Sequence, residues 1–304
     1  MEIKIYAVGY HGYPRATADM DIWISRDNKK LVAMAVARAS LLEPLYLIKM
    51  DITRKGLVIG GGVSGMVSAL SLADQGFEVE LVERESELGG NARHLHFTLE
   101  GDDPQIYLKF LVEKVTSHKL INVHLLSEIK KMSGHIGHFI SEVKSQKSEV
   151  KKIEHGVVIV ATGGVEYQPA EYLYGENERV ITQRQLEEYL SNLSNPKSEI
   201  QNLKSIVMIQ CVGSRSNERP YCSRVCCSQA IKNALKIKEI NPETQIYILY
   251  RDIRTYGFRK DYYRQAREAG VIFIRYDENS KPEVRKVEQA SCLPSQTEDK
   301  GQKS

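Results

Sequence analysis

The stretch Leu57-Val-Ile-Gly-Gly-Gly-Val-Ser-Gly65 limits what this chain can fold into more than any other. It reads as a strand, a glycine turn and the start of a helix, and a second apolar strand follows at Glu78-Val-Glu-Leu-Val-Glu83. Gly60, Gly62 and Gly65 fit the G-x-G-x-x-G spacing of a dinucleotide-binding βαβ unit. Gly60 permits a tight turn, Gly62 lets a pyrophosphate approach the backbone without a Cβ in the way, and Gly65 lets the helix sit close against the strand. The helix N-terminus adds free N–H groups and the positive end of its dipole. Met66, Ala69, Leu70 and Ala73 recur at helical spacing and form the face that would cover a sheet. Glu83 lies 23 residues beyond Gly60. A carboxylate there accepts both hydroxyls of an adenosine ribose and repels a 2′-phosphate, so FAD or NAD is expected over NADP.

Composition removes several function classes. The 304 residues carry 42 basic and 39 acidic side chains, a net charge of +3 that gives no reason to invoke nucleic acid or an anionic membrane surface. The longest apolar run, Leu31 to Ile48, is interrupted by Arg38, Glu43 and Pro44, so no membrane span is expected. Met1 is followed by Glu2 and mixed polar residues, with no secretory signal, and cytoplasm is the expected location.

The expected organisation is a foreign segment at 1–30, a helix and linker at 31–55, an FAD-binding domain at 56–203, a second α/β domain at 204–277 and a polar, disordered tail at 278–304 that contains Cys292. Gly9 to Ile24 resembles the start of a polymerase-beta-like nucleotidyltransferase, in which aspartates matching Asp19 and Asp21 bind divalent metal. That resemblance covers about 20 residues, and the segment reads as a stray fusion with both aspartates solvated. Lys30 to Glu43 has the spacing of a helix ended by Pro44. A helix is expected over 103–117, with Pro104 in its first turn and Ile106, Phe110, Val112 and Val115 toward one face. A short strand at 121–126 and an antiparallel meander between Ile129 and Ile153 follow, with turns at Ser133-Gly134 and Ser145 to Ser148.

Val157-Val-Ile-Val-Ala-Thr-Gly-Gly164 reads as a buried parallel strand ending in small residues where the chain passes a cofactor. A glycine βαβ unit, a meander and then A-T-G is an order that resembles flavoprotein reductases and favours FAD over simple NAD binding. Gly60, Gly62, Gly65 and Glu83 would hold the ADP half. Gly89, Gly90, Thr162 and Gly163 would border the rest of the flavin, with Arg84 and Asn91 beside them. From Lys204 a second β-α-β-α-β run begins, with helices at Ser223 to Glu239 and Phe258 to Ala269. The turn after its first strand, Cys211-Val-Gly-Ser-Arg215, lacks the glycine motif, so a nicotinamide cofactor is not expected there.

Four of the five cysteines fall within 17 residues, as Cys211-x10-Cys222-x3-Cys226-Cys227. Four thiolates are the usual complement of a [4Fe–4S] cube. Zinc, redox-active thiols and structural free cysteines are the rivals. On a helix from Ser223, Cys222 and Cys226 would share a face, with Cys227 about 100° round from Cys226. Arg215, Arg219 and Arg224 would offset a cluster's negative charge. A loop at the carboxyl end of such a strand faces the cofactor crevice, which would put the cluster near the flavin.

Gly60 to Met66, Glu87 to Asn91, Glu154 to Gly164, Tyr172 to Gly175, Ile209 to Arg215, Arg219 to Ala234 and Tyr250 to Gly257 carry a further likeness, from about Leu31 to Asp277. Together they resemble the heterodisulfide reductase family, in its FAD- and iron–sulfur-bearing subunit. The resemblance implies a thioredoxin-reductase-like fold, incomplete at the C-terminus here, with FAD and a [4Fe–4S] cluster on Cys211, Cys222, Cys226 and Cys227. It also implies electron bifurcation or disulfide reduction beside other subunits of such a complex and a ferredoxin, hydrogenase or dehydrogenase module. The ferredoxin-type cysteine motifs of the family are missing, and the chain reads as a core fragment. Two other functions stay open: a non-catalytic remnant that binds FAD weakly, and a stand-alone NAD(P)H flavin reductase.

Overall fold

The computed structural model describes residues 52–146, 149–192 and 203–286, together with two-residue strands at Ile3–Lys4, Trp23–Ile24, Leu31–Val32 and Lys49–Met50 that pair in that order. Leu31–Val32 is thus a strand where a helix from Lys30 was expected, and it pairs on both sides. Asp19, Asp21 and Cys292 lie outside the described residues. Among the described residues, no helix is long and apolar enough to cross a membrane.

The chain divides into two compact units, Met1–Arg93 with Pro104–Gly164, and His94–Asp103 with Val165–Ser304. In the first, strands β1 (Lys55–Ile59), β2 (Glu78–Val82) and β3 (Ile121–His124) are joined by helices α1 (Val63–Asp74) and α2 (Pro104–Ser117). An antiparallel meander, β4 (Ser127–His135), β5 (His138–Ser145) and β6 (Lys151–His155), leads to β7 (Val157–Val160). The parallel sheet has the order β7-β1-β2-β3. Helices cover one of its faces: Met66, Ala69 and Ala73 of α1 and Leu108, Leu111 and Val115 of α2 close over Val58, Val79 and Leu81. Leu57 and Val82, pointing the other way, pack on Val143 and Ile153 of the meander.

Three expectations need correcting here. The buried stripe of α2 is Leu108, Leu111 and Val115, while Ile106 and Phe110 are 72% and 51% exposed. Both apolar sets fit a helical period, and packing on α1 selects the first. The turn placed at Ser133-Gly134 falls instead at Ile136–Gly137, because β4 runs through to His135. Strand β7 is parallel but not buried: it is an edge paired only with β1, and Val160 is 70% exposed.

Across the sheet, Glu80 on β2 is 3% exposed and meets Lys55 Nζ at 3.1 Å and His124 Nε2 at 2.5 Å. Burial alone would raise this carboxyl, but the hydrogen bonds and charges of His124 and Lys55 outweigh it and hold it at about 2.

In the second unit, α3 (Gln183–Ser191) begins in a reciprocal cap between Thr182 and Gln185. Strands β8 (Ser205–Ile209), β9 (Gln245–Tyr250) and β10 (Ile272–Arg275) form a parallel sheet in that order, with α4 (Cys226–Ile240) and α5 (Arg259–Glu268) between them. Its core gathers Leu186, Leu190, Met208, Ala230, Ile231, Ile237, Ile246 and Ile248. Residues 165–192, expected with the first domain, cluster here because Leu186 and Leu190 of α3 join that core. The excursion 94–103 is tied to the same unit by a buried pair. Lys232 Nζ lies 2.7 Å from Glu187 Oε2 and donates to Phe97 O at 2.9 Å, while Glu187 Oε1 accepts from His96 N at 2.8 Å.

Two outcomes follow from these buried charges. Replacing Glu187 with Ala leaves Lys232 buried without a counter-charge, and should cost the second unit roughly 3–5 kcal/mol in a denaturant titration. The folded pKa of Glu80 lies below its ordinary 4.5, so its contribution is complete above that pH and is lost as pH falls toward 2. Acid titration of unfolding should show a loss of roughly 2–3 kcal/mol in that window that Glu80→Gln flattens.

Candidate functional site

The glycine turn is built by exclusion of side chains. Gly60 has φ +106, and a Cβ on it would lie 2.3 Å from Ala161 O; a Cβ on Gly65 would lie 1.8 Å from Gly60 O. The strand end, the helix start and the chain leaving β7 therefore meet backbone to backbone, an approach completed by the bond from Ala161 N to Ile59 O at 2.8 Å. Gly62 differs. It caps α1 at φ −70, and nothing stands within 4 Å of where its Cβ would be. Gly163 and Gly164 are likewise open on that side.

Glu83 closes the other wall. It is 6% exposed, and its two carboxylate oxygens accept Gly61 N at 2.6 Å and Glu85 N at 2.9 Å. Each oxygen keeps a further lone pair for an incoming hydroxyl. Gly89 N donates to Gly61 O at 2.8 Å, and Gly62 and Gly89 pair as an isolated parallel bridge. A Cβ on Gly90 would sit 3.2 Å from Gly62 Cα. Asn91 Nδ2 donates to Gly164 O at 2.8 Å and pins the segment after β7. Gly60, Gly62, Gly65, Glu83, Gly89, Gly90 and Asn91 are thus joined through direct contacts. Thr162 and Gly163 are exposed on the strand-exit segment, and Arg84 points out to Glu85 at 3.2 Å. Leu88, 7% exposed, fills the space above Gly61 and carries no local sequence signal for that role. A backbone cradle with one open face and an acid at its rim fits the ADP portion of a dinucleotide.

The cysteines occupy the carboxyl end of the second sheet. Helix α4 starts at Cys226, not at Ser223, because Arg224 stands in the left-handed region at φ +59. Cys222 therefore lies on the lead-in loop and does not share a helix face with Cys226; its Sγ accepts Arg224 N at 3.3 Å. Its interaction with Cys227 holds Cys226 below its ordinary pKa, whereas the same interaction and burial push Cys227 up. Burial and the charge of Cys226 raise Cys211. Cys211, Cys226 and Cys227 thus sense one another. Their chemistry suits a thiolate-bound metal centre, yet among the described residues no three His, Cys, Asp or Glu side chains are gathered around one ion position. The donors are present; the coordination sphere is not closed.

The loop 211–225 carries strain. Cys211 and Arg215 stand at φ +65 and +58, which with Arg224 makes three left-handed non-glycine residues, at about 1–2 kcal/mol each. Neighbours hold it in place. Tyr276 Oη donates to Gln210 O at 2.5 Å, Arg251 Nη1 donates to Arg215 O at 2.6 Å, and Arg215 N donates to Tyr221 O at 3.1 Å. The ring of Tyr167 lies against Gly213, where a Cβ would approach to 2.1 Å, and Arg219 stacks on the same ring at 4.5 Å. Sequence reasoning passed over Tyr167 and Tyr276 and gave Arg251 no role of its own; their contacts span tens of residues.

A family profile described as an NAD(P)-binding Rossmann-like domain matches residues 58–110. An iron-sulfur subunit of the CoB–CoM heterodisulfide reductase of Methanopyrus kandleri is 33% identical, over 83% of this chain and 53% of its own length. The matching subunit of the H(2):CoB-CoM heterodisulfide,ferredoxin reductase of Methanothermobacter marburgensis is 31% identical, over 84% of this chain and 53% of its own. The chain spans about half the length of the curated relatives it matches. Thioredoxin reductase of T. acidophilum aligns with a TM-score of 0.46 at 12% identity, covering 75% of this chain and 68% of that one.

The contrast between two glycines is testable by thermal or denaturant unfolding. Gly65→Ala should lower the stability of the first unit by roughly 2–3 kcal/mol through backbone displacement. Gly62→Ala, with allowed φ and open space, should change it by less than about 1 kcal/mol.

Proposed function

Because the chain belongs to the family of heterodisulfide reductase iron–sulfur subunits and spans about half the length of its relatives, we propose that it is a flavin- and iron–sulfur-dependent electron-transfer subunit of a disulfide-reducing or electron-bifurcating complex. The observation that carries the flavin part is the open face of the cradle at Gly62, bordered by the buried Glu83 carboxylate. FAD, when bound, supplies exchange of electron pairs with one partner and of single electrons with another.

The chain's own residues bind and orient. Gly62 and the first N–H groups of α1 would receive the pyrophosphate, and Glu83 would accept the adenosine ribose hydroxyls on its remaining lone pairs. Gly89, Gly90 and Asn91 on one side, and Thr162 and Gly163 on the other, would border the remainder of the flavin, with Arg84 at the outer edge. Leu88 packs against Gly61 and backs the turn. Cys211, Cys222, Cys226 and Cys227 would hold a [4Fe–4S] cluster, a one-electron carrier; the interaction among three of these thiols and the presence of the fourth on the same loop support this assignment. The relatives are named as subunits, which supports work alongside further chains of such a complex and a ferredoxin, hydrogenase or dehydrogenase module.

The test is anaerobic purification with flavin and iron assays and a visible spectrum. Flavin bands together with a broad iron–sulfur shoulder are expected. Gly62→Ala should stay folded yet bind FAD at least about tenfold more weakly, and Cys226→Ser should lose the iron and keep the flavin. Zinc without iron would overturn the cluster assignment; protein that neither carries nor takes up FAD would overturn the flavin assignment.

A further inference from the structure

Among the residues that hold the strained loop bearing Cys211 is one acid to which the sequence assigned no role. Asp252 follows β9 at the carboxyl end of the second sheet. Its Oδ2 accepts Arg215 Nη2 at 2.6 Å, and the other guanidinium nitrogen, Nη1, lies 4.0 Å from Cys211 Sγ. Its backbone carbonyl accepts the thiol of Cys227 at 3.7 Å. Arg254 and Arg275 stand 3.9 Å from the same carboxylate. One residue therefore touches both cysteine-bearing elements, the β8 exit through Arg215 and the start of α4 directly. Arg251 adds its bond to Arg215 O and is itself anchored by Glu278 at 2.8 Å.

From this geometry we infer that Asp252 and Arg215 are positioning residues for the cysteine centre. They hold the Cys211 turn in its left-handed conformation, and Arg215 places a fixed cation 4.0 Å from its sulfur. A carboxylate is needed because a neutral side chain would leave Arg215 free to turn to solvent, and the backbone conformation it supports is one that Cys211 and Arg215 do not favour alone. Cys222 is outside this bridge, on the part of the loop that the pair does not hold. The inference deepens the reading of the cysteines as metal ligands and rests on it for the iron readout alone.

The experiment compares the full chain, purified anaerobically, with Asp252→Ala, Arg215→Ala and the conservative Asp252→Glu. Amide hydrogen exchange is followed by mass spectrometry, beside iron and flavin per chain. Both alanine variants should exchange at least tenfold faster in peptides covering 211–225, with β8 and the first unit unchanged. Their iron per chain should fall below half that of the unmodified protein at unchanged flavin, and Asp252→Glu should keep most of both properties. Loop exchange at the unmodified rate in both alanine variants would overturn the inference. So would acceleration throughout the second unit, α4 core included, in Asp252→Glu as well, since that marks a general loss of stability. An unmodified protein without iron would sink the metal reading, while the exchange comparison still decides whether the pair positions the loop.

Discussion

Everything in the first unit depends on two backbones approaching with no side chain between them. The Gly60 carbonyl occupies the space where a Cβ of Gly65 would be, and the Ala161 carbonyl occupies that of Gly60. This contact fixes the angle at which α1 leaves the sheet, which then sets where Met66, Ala69 and Ala73 meet Val58, Val79 and Leu81. It also aims the unbonded N–H groups of the first helical turn past Gly62. The buried Glu83 belongs to the same arrangement, because its bond to Gly61 N stitches the end of β2 to the turn. Packing and the hydrogen bonding of the turn here share one cause.

The second unit solves the equivalent position differently. After β8 there is no glycine hairpin but a long loop before α4, with cysteine and arginine in conformations that ordinarily favour glycine. Such a loop is held by its surroundings: a tyrosine ring over Gly213, a phenol on Gln210 O, and arginines on both sides of Asp252. A phosphate-binding turn needs bare backbone, whereas thiolate donors need side chains that converge. At the same place in a similar β-α-β run the second unit carries cysteine and arginine side chains where the first has bare glycine backbone.

Much of this was legible in the residues. Helix α1 buries the face read from its spacing, α2 begins at Pro104, and the strands that follow α1 and α2 begin at their expected residues, Glu78 and Ile121. What escaped had physical reasons. The start of α4 is set by the left-handed Arg224, and arginine gives no sign of that conformation. On α2 two apolar stripes compete, and only the neighbouring helix decides between Leu108 and Ile106. The grouping of 94–103 with the second unit has no local signature, because it follows from a lysine 135 residues beyond Phe97. The joined contacts around Gly60, Gly62, Gly65 and Glu83 were readable because spacing encodes them, but the Asp252 bridge, spanning 37 residues to Arg215, was not.

That short excursion also makes the second unit discontinuous in the chain. Ribosomes deliver His96 and Phe97 well before Glu187 and Lys232, the groups that receive them. The later unit completes its interior with a stretch of chain made earlier, so residues after Gly164 do not by themselves hold all of its contacts.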